Sequence, residues 1–326
     1  MNMTSNLNDN PKVNTNHNRT LTFHVKTIFL FTKSDLKTVF FPQCVFALSI
    51  AFSEYRFEEG TPWSTNTEQA ALRLVYMITW IYLHLLVENI SNQRKLESVA
   101  EDGINRPWRP IVAGRLTAVE AQSLLRITVM ICLFISFLLN AWMPSVTIMT
   151  MAWLYNDLEA NSAGPLQRGG LNGAAIACFN WGAVRVLLGD DISDKTEKML
   201  PNWYFLLAAV VTTTVHAQDF MDIAGDKARD RKTMPLLYGD ALSRWILAIF
   251  VTGWSLVCLS FWHVHAWTIQ GVLLGIVTST AMLVTMDRGQ ECDRWVWRLW
   301  CLWITVLYML PLFSSPVSTQ NAFVKG

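Results

Sequence analysis

The chain has 326 residues, of which 52% are hydrophobic and 16% charged, with a mean hydropathy of +0.27. A soluble domain of this length is less apolar, so the composition points to a bilayer as solvent. A net charge of +1 gives no sign of a nucleic-acid partner, and the six cysteines form no CxxC or His-paired cluster, which argues against a disulfide framework or a zinc site.

Residues 1–34 are expected to be a polar, disordered N-terminal tail; Met1 to Asn18 are Asn-rich and lack the apolar core of a secretory signal. A catalytic transmembrane domain is expected over residues 35–316, followed by a short tail at 317–326. A spanning helix needs roughly 20 apolar residues, and nine candidate stretches meet or approach that. They run from Leu36 to Phe57, Ala70 to Glu88, Ala118 to Ala141, Pro144 to Tyr155, Leu171 to Gly189, Asn202 to Gln218, Ala241 to Trp262, Ala266 to Met286, and Val296 to Ser314. The fold class predicted is therefore all-α and polytopic, with about nine transmembrane helices around a central cavity.

Basic residues favour the cytoplasmic side of short loops. Lys12, Arg19, Lys26, Lys33 and Lys37 precede the first stretch, and every second loop is basic, as at Arg94, Lys95, Arg106, Arg109 and Arg115, then Arg168, then Lys227, Arg229, Arg231 and Lys232, then Arg288 and Arg294. The alternate loops offer Arg56, Lys195 and Lys198. This pattern predicts a cytoplasmic N-terminus. The loops after the second and sixth stretches also resemble each other, since Pro110 to Gly114 and Pro235 to Gly239 share a PxxxG spacing ahead of a new apolar stretch. A duplicated bundle with both loops at one mouth follows, although a transporter repeat has the same appearance.

The sixth loop carries Asp219, Asp222 and Asp226 at offsets of three and seven, which is one face of a helix. Three like charges so close are costly without a counterion, and magnesium prefers carboxylate oxygens with waters and phosphates. Arg231 and Lys232 follow, a fork and a point charge that both suit diphosphate oxygens. In the second loop, Gln93, Glu97 and Glu101 recur at offsets of four, while Arg106 and Arg109 are candidate phosphate clamps. His84, Asn156-Asp157, Arg185 and His216 are further polar residues in or at the ends of apolar stretches; His84 and Asn156 are as suited to satisfying a neighbouring helix as to a site, and Arg185, near the far interface, reads as a snorkelling side chain. Trp80, Tyr82, Trp153, Tyr155, Phe179 and Trp181 are candidate aromatic liners, though interfacial belts use the same residue types.

The run DxxDxxGDK from Asp219 to Lys227 with the following RKTMPLLYG, together with NRPWRPxxxGR from Asn105 to Arg115, resembles the UbiA superfamily of intramembrane prenyltransferases. The altered first loop, with Asn92-Gln93 and then Glu101-Asp102 before the NRPWRP run, is similar to the fungal membrane-bound terpene cyclases of that superfamily. Asp230 stands where the superfamily commonly has glycine. The resemblance implies that Asn92, Glu97, Glu101, Asp102, Asp219, Asp222 and Asp226 are catalytic ligands of Mg2+. It implies that Arg106, Arg109, Lys227, Arg231 and Lys232 hold the diphosphate of an isoprenoid substrate of farnesyl or geranylgeranyl type. The activity implied is ionisation and cyclisation in terpenoid biosynthesis, in the endoplasmic reticulum membrane of a eukaryotic cell. An intermolecular transferase that passes the prenyl group to an aromatic acceptor uses the same loops, and a transporter or lipid-binding scaffold is the alternative of another class.

Overall fold

The computed structural model describes residues 19–57, 67–285 and 289–314. The remainder, including residues 1–18 and the expected tail at 317–326, lies outside the described residues, as do the Arg56 side chain and Arg288.

Among the described residues the architecture is all-α. In chain order come α1 (Leu21–Thr32), a π turn (Leu36–Phe40), α2 (Phe41–Phe57), α3 (Thr67–Gln93), α4 (Leu96–Asn105), α5 (Ala118–Leu138) and α6 (Trp142–Asn156). The short α7 (Ala160–Ala163) leads to α8 (Pro165–Leu188) and α9 (Asp194–Thr214). A 3-10 turn (Val215–Gln218) then joins α10 (Asp219–Ala228), α11 (Met234–Tyr238), α12 (Asp240–Phe261), α13 (Trp267–Thr285) and α14 (Gln290–Tyr308).

A helix covers the larger part of every expected apolar stretch, but only five of the described spans are long and apolar enough to cross a membrane: Leu36–Ser53, Thr67–Gln93, Ala118–Leu138, Pro165–Leu188 and Asp240–Phe261. The outward face of α5 shows why a bilayer is needed. Val119, Ile127, Met130, Phe134 and Phe137 are all exposed there, an arrangement that water penalises and lipid does not.

The N-terminal expectation is corrected in part. Over residues 21–32 the chain is helical, not disordered, because Thr20 caps the helix through the Phe23 amide and the segment LTFHVKTIFLFT is apolar enough to dock. Phe31 is fully buried against Leu86, Val87 and Ile90 of α3.

Helix α8 is the hub, packed against α2, α3, α6 and most closely α9. The closeness has a local cause. A Cβ on Gly169 would lie 2.4 Å from the Thr212 carbonyl oxygen, and one on Gly173 would lie 2.4 Å from that of Ala208. The Gly-xxx-Gly spacing therefore lets two backbones meet, as membrane helices do where hydrophobic association gives no force. The paired PxxxG loops behave alike as well: Gly114 and Gly239 both take positive φ, +65° and +87°, just before a new helix. Thr117 and Glu120 then form a reciprocal capping box at the start of α5.

Replacing Gly173 by Ala forces the α8 and α9 backbones apart and is expected to cost about 1–3 kcal/mol. Gly170→Ala, whose Cβ meets nothing within 4 Å, is expected to leave the unfolding temperature in detergent unchanged. Equal midpoints for the two variants would refute the seam.

Candidate active site

The two polar loops of the sequence fold into the short helices α4 and α10, which pack on one another at one end of the bundle. Each has one polar buried face. On α4 that face is Ser98, Glu101 and Asp102, and on α10 it is Asp219, Asp222 and Asp226. Gly225 permits the contact, since a Cβ there would sit 2.1 Å from Asn105 Nδ2. This gives the glycine of the GDK run a packing role.

Every buried carboxylate of this cluster is paired with an arginine. Arg231 Nη1 donates to Glu101 Oε1 at 2.9 Å and to Asp226 Oδ1 at 3.2 Å. Arg229 Nη1 donates to Glu101 Oε2 at 3.0 Å and to Ser98 Oγ at 3.1 Å. Arg106 meets Asp222 at 2.7 Å, Arg109 meets Asp102 at 2.7 Å, and Arg168 at the start of α8 meets Asp219 at 2.5 Å.

The electrostatics follow from these partners. Burial works to raise the Glu101 carboxyl, but Arg231 and Arg229 together hold it below its ordinary value. For Asp102 and Asp226 burial prevails over the arginines and the carboxyls are raised. Burial pushes Asp219 up to about 7 against the pull of Arg168. Oδ2 of Asp102 and Oδ2 of Asp226 are buried with no hydrogen-bond partner in the protein, so each aspartate has an oxygen still to be satisfied.

A cavity of about 180 Å³ opens among these groups. Asn92, Glu101, Arg106, Arg109, Arg168, Asp222 and Arg231 line its polar end, and Asp35 and Glu88 also reach it. Beyond them the lining turns apolar, with Ile176, Phe179, Val211, Trp297 and Trp300. The Trp297 and Trp300 rings stack with centroids 4.8 Å apart and planes 10° apart. Trp300 is fixed by donating Nε1–H to Thr214 Oγ1 at 3.0 Å.

The expected site residues separate into two groups. Asn92, Glu101, Asp102, Arg106, Arg109, Asp219, Asp222, Asp226 and Arg231 belong to the cluster or its cavity, with Asn92 donating to Asn156 Oδ1 at 3.1 Å. Glu97, Lys227 and Lys232 do not; their side chains are exposed and lie outside the cavity lining. Arg168 and Arg229 supply cationic groups in the buried cluster that the sequence marks only as loop charges. Gln93 is turned away and donates to the Phe31 carbonyl and to Asn89.

Of the other candidates, Tyr155 and Phe179 line the cavity. Trp153 and Trp181 are exposed on the outside of the bundle. Trp80 is locked by Ser136, and His84 by the Trp80 carbonyl and Ser145, both as packing elements. His216 faces the Ser243 carbonyl, and Arg185 reaches Asp190 near the opposite end of α8.

Oxygen-rich carboxylates with unsatisfied lone pairs suit a hard divalent cation such as Mg2+ in donor type. Among the described residues no three His, Cys, Asp or Glu groups converge as a ready cation cage, because each carboxylate is turned to its arginine. The donor set fits such an ion once those pairs part.

A helical membrane bundle with a carboxylate and guanidinium mouth above an aromatic interior defines the class of protein as an integral membrane protein with a buried polar site. Residues 60–310 match the UbiA prenyltransferase family, and the chain belongs to it. It is 25% identical to a fumagillin beta-trans-bergamotene synthase of Aspergillus fumigatus, covering 89% of this chain and 92% of that protein. It is 28% identical to a somaliensene A/B synthase of Streptomyces somaliensis, covering 91% and 95%. A UbiA homologue from Archaeoglobus fulgidus, solved bound to GPP and Mg2+, superposes with a TM-score of 0.58 at 13% identity over 88% of this chain and 99% of that one.

Removing one partner of a buried ion pair leaves a charge uncompensated at a cost of about 3–5 kcal/mol. Arg231→Met is accordingly expected to lower the unfolding temperature in detergent, and adding Asp226→Asn to recover a large part of the loss. Stability indifferent to Arg231→Met would show that the α4–α10 contact does not depend on the Arg231–Glu101 bridge.

Proposed function

We propose that this chain is a membrane-embedded, Mg2+-dependent terpene cyclase that ionises a farnesyl- or geranylgeranyl-type diphosphate and closes the resulting carbocation into rings. The observation that carries the reading is the cavity itself, which passes from arginines and carboxylates to stacked tryptophans within one enclosure. Both terpene synthase relatives match along nearly their whole length, and the archaeal homologue bound to GPP and Mg2+ shares the fold.

Arg106, Arg109, Arg168 and Arg231 all reach the cavity and are placed to take the diphosphate oxygens, in exchange for their present carboxylate partners. Guanidinium forks suit this geometry, and fixed cations aimed at charge that grows on the leaving group favour ionisation. Glu101, Asp102, Asp219, Asp222 and Asp226, with Asn92 beside them, would hold the metal, which supplies Lewis-acid stabilisation of the departing diphosphate. Lys227, Lys232 and Glu97 stand outside and are assigned to surface charge.

No side-chain nucleophile is needed. Below the mouth, Ile176, Phe179, Val211, Trp297 and Trp300 exclude water, and the tryptophan faces offer π density to the cation. The cavity is smaller than the roughly 300–1,000 Å³ usual for small-molecule sites, so substrate entry requires the ion pairs to part and the helices to yield. The alternating basic loops support a cytoplasmic N-terminus and mouth; if the cell is eukaryotic, the membrane we infer is that of the endoplasmic reticulum.

Purified or microsomal protein incubated with Mg2+ and farnesyl or geranylgeranyl diphosphate, with no acceptor, is expected to give a cyclic hydrocarbon by gas chromatography and mass spectrometry. The product should vanish on chelation and in Asp222→Ala. Failure with both diphosphates, followed by prenylation of an added aromatic acceptor, would replace cyclase by intermolecular transferase. Arg109→Lys is expected to raise KM for the diphosphate about tenfold, because the fork is lost although the charge stays; an unaltered KM would remove Arg109 from substrate binding.

A further inference from the structure

Three polar side chains meet in the interior of the bundle. Gln43 of α2 and Asn180 of α8 are fully buried and Tyr308 of α14 is 1% exposed. The Tyr308 hydroxyl faces both amides, yet neither amide completes a hydrogen bond within the protein through its oxygen or its nitrogen. Phe46 packs edge-on to Tyr308 at 5.1 Å and closes the other side.

Their position relative to the cavity follows from helix periodicity. Val39, Ile176 and Trp300 line the cavity. Gln43 and Asn180 each follow a lining residue by four positions, close to one turn deeper on the same face, and Tyr308 lies two turns beyond Trp300. Arg168 and Asn180 are on one helix, about 18 Å apart along its axis. None of the three is itself part of the lining; the trio lies about one turn past it, on the side away from the arginines and beyond the tryptophan pair.

Two amides with no partner are costly in such a place, and one small hydrogen-bonding molecule with three polar neighbours relieves the cost. We propose that Gln43, Asn180 and Tyr308 are positioning residues that hold one water molecule just past the inner lining of the cavity, and that this water takes the last proton from the carbocation when the cavity enlarges around its substrate. The inference rests on the cyclase reading. A C–H bond beside the cationic carbon breaks, its electron pair becomes the new C=C bond, and the proton passes to the water oxygen. The three O–H groups of the resulting hydronium donate to Gln43 Oε1, Asn180 Oδ1 and Tyr308 Oη. The proton leaves when that water exchanges with solvent. A diphosphate held at the arginines is too remote to serve a cation at this end of the chain.

The test pairs two readouts. A high-resolution experimental structure of the wild type is expected to show ordered solvent density between the three side chains. Near-isosteric Asn180→Leu, Gln43→Met and Tyr308→Phe are each expected to change the ratio of double-bond isomers or of quenched by-products about tenfold, the scale of one hydrogen bond in a branching step. Packing alone would not move that ratio in Tyr308→Phe, which removes a single oxygen and retains the ring should the amide variants fail to fold. Unchanged product ratios in folded variants, or no solvent at the trio, would overturn the proposal. A wild type that forms no hydrocarbon would instead overturn the cyclase reading and with it the proton transfer, while the density separately reports whether the water is held.

Discussion

Glu101, held between Arg229 and Arg231, is the interaction on which the active end of the molecule depends. It joins residues some 130 positions apart and draws α4 onto α10. The geometry is demanding because both partners are buried, and a buried charge is tolerable only when it is matched. Asp226 shares Arg231, Asp222 takes Arg106, Asp102 takes Arg109 and Asp219 takes Arg168. Two loops that would repel as acids or as bases attract as a mixture, and the mixture shapes the mouth of the cavity.

The same groups explain how a polar reaction can be run at a membrane face. Guanidinium forks that now hold carboxylates can hold a diphosphate, and carboxylates released by that exchange can turn to a cation. Arg168 and Arg231 belong both to an ion pair and to the cavity wall, so the exchange needs rotation of side chains already in place. Further in, the lining is uncharged among the described residues, and the tryptophan pair with its apolar neighbours offers shape and π faces. On the cyclase reading, this graded lining separates departure of the anion from the fate of the hydrocarbon.

Much of this was legible in the sequence. Apolar length located the helices, and the spacing of Asp219, Asp222 and Asp226 located one buried face. The positive φ of Asp230, 53°, also fits a position where the superfamily commonly has glycine, because a short polar side chain tolerates the left-handed region. Other features were hidden for physical reasons. An offset of four rotates a helix by about 40° past a full turn, and on α4 that suffices to leave Glu97 in solvent while Glu101 is buried. Lys227 and Lys232 follow Asp226 and Arg231 by one residue, which turns them to the outside. Pairing of Arg168 with Asp219, and arrival of Trp297 and Trp300 at the cavity, depend on tertiary contacts that no local period encodes. The apolar run of α1 is only 12 residues long, too short to announce a span.

The glycine seam between α8 and α9 has a consequence for how such a cavity diversifies. Where backbones touch at Gly169 and Gly173, the distance between the two helices is fixed, although Ile176, Phe179 and Val211 still reach the cavity from them. Val39 of the π turn and Trp297 and Trp300 of α14 complete the apolar lining. On the cyclase reading, variation that accommodates longer, shorter or differently folded hydrocarbons is thereby channelled into exchange of these lining side chains, while the α8–α9 frame that carries them stays the same.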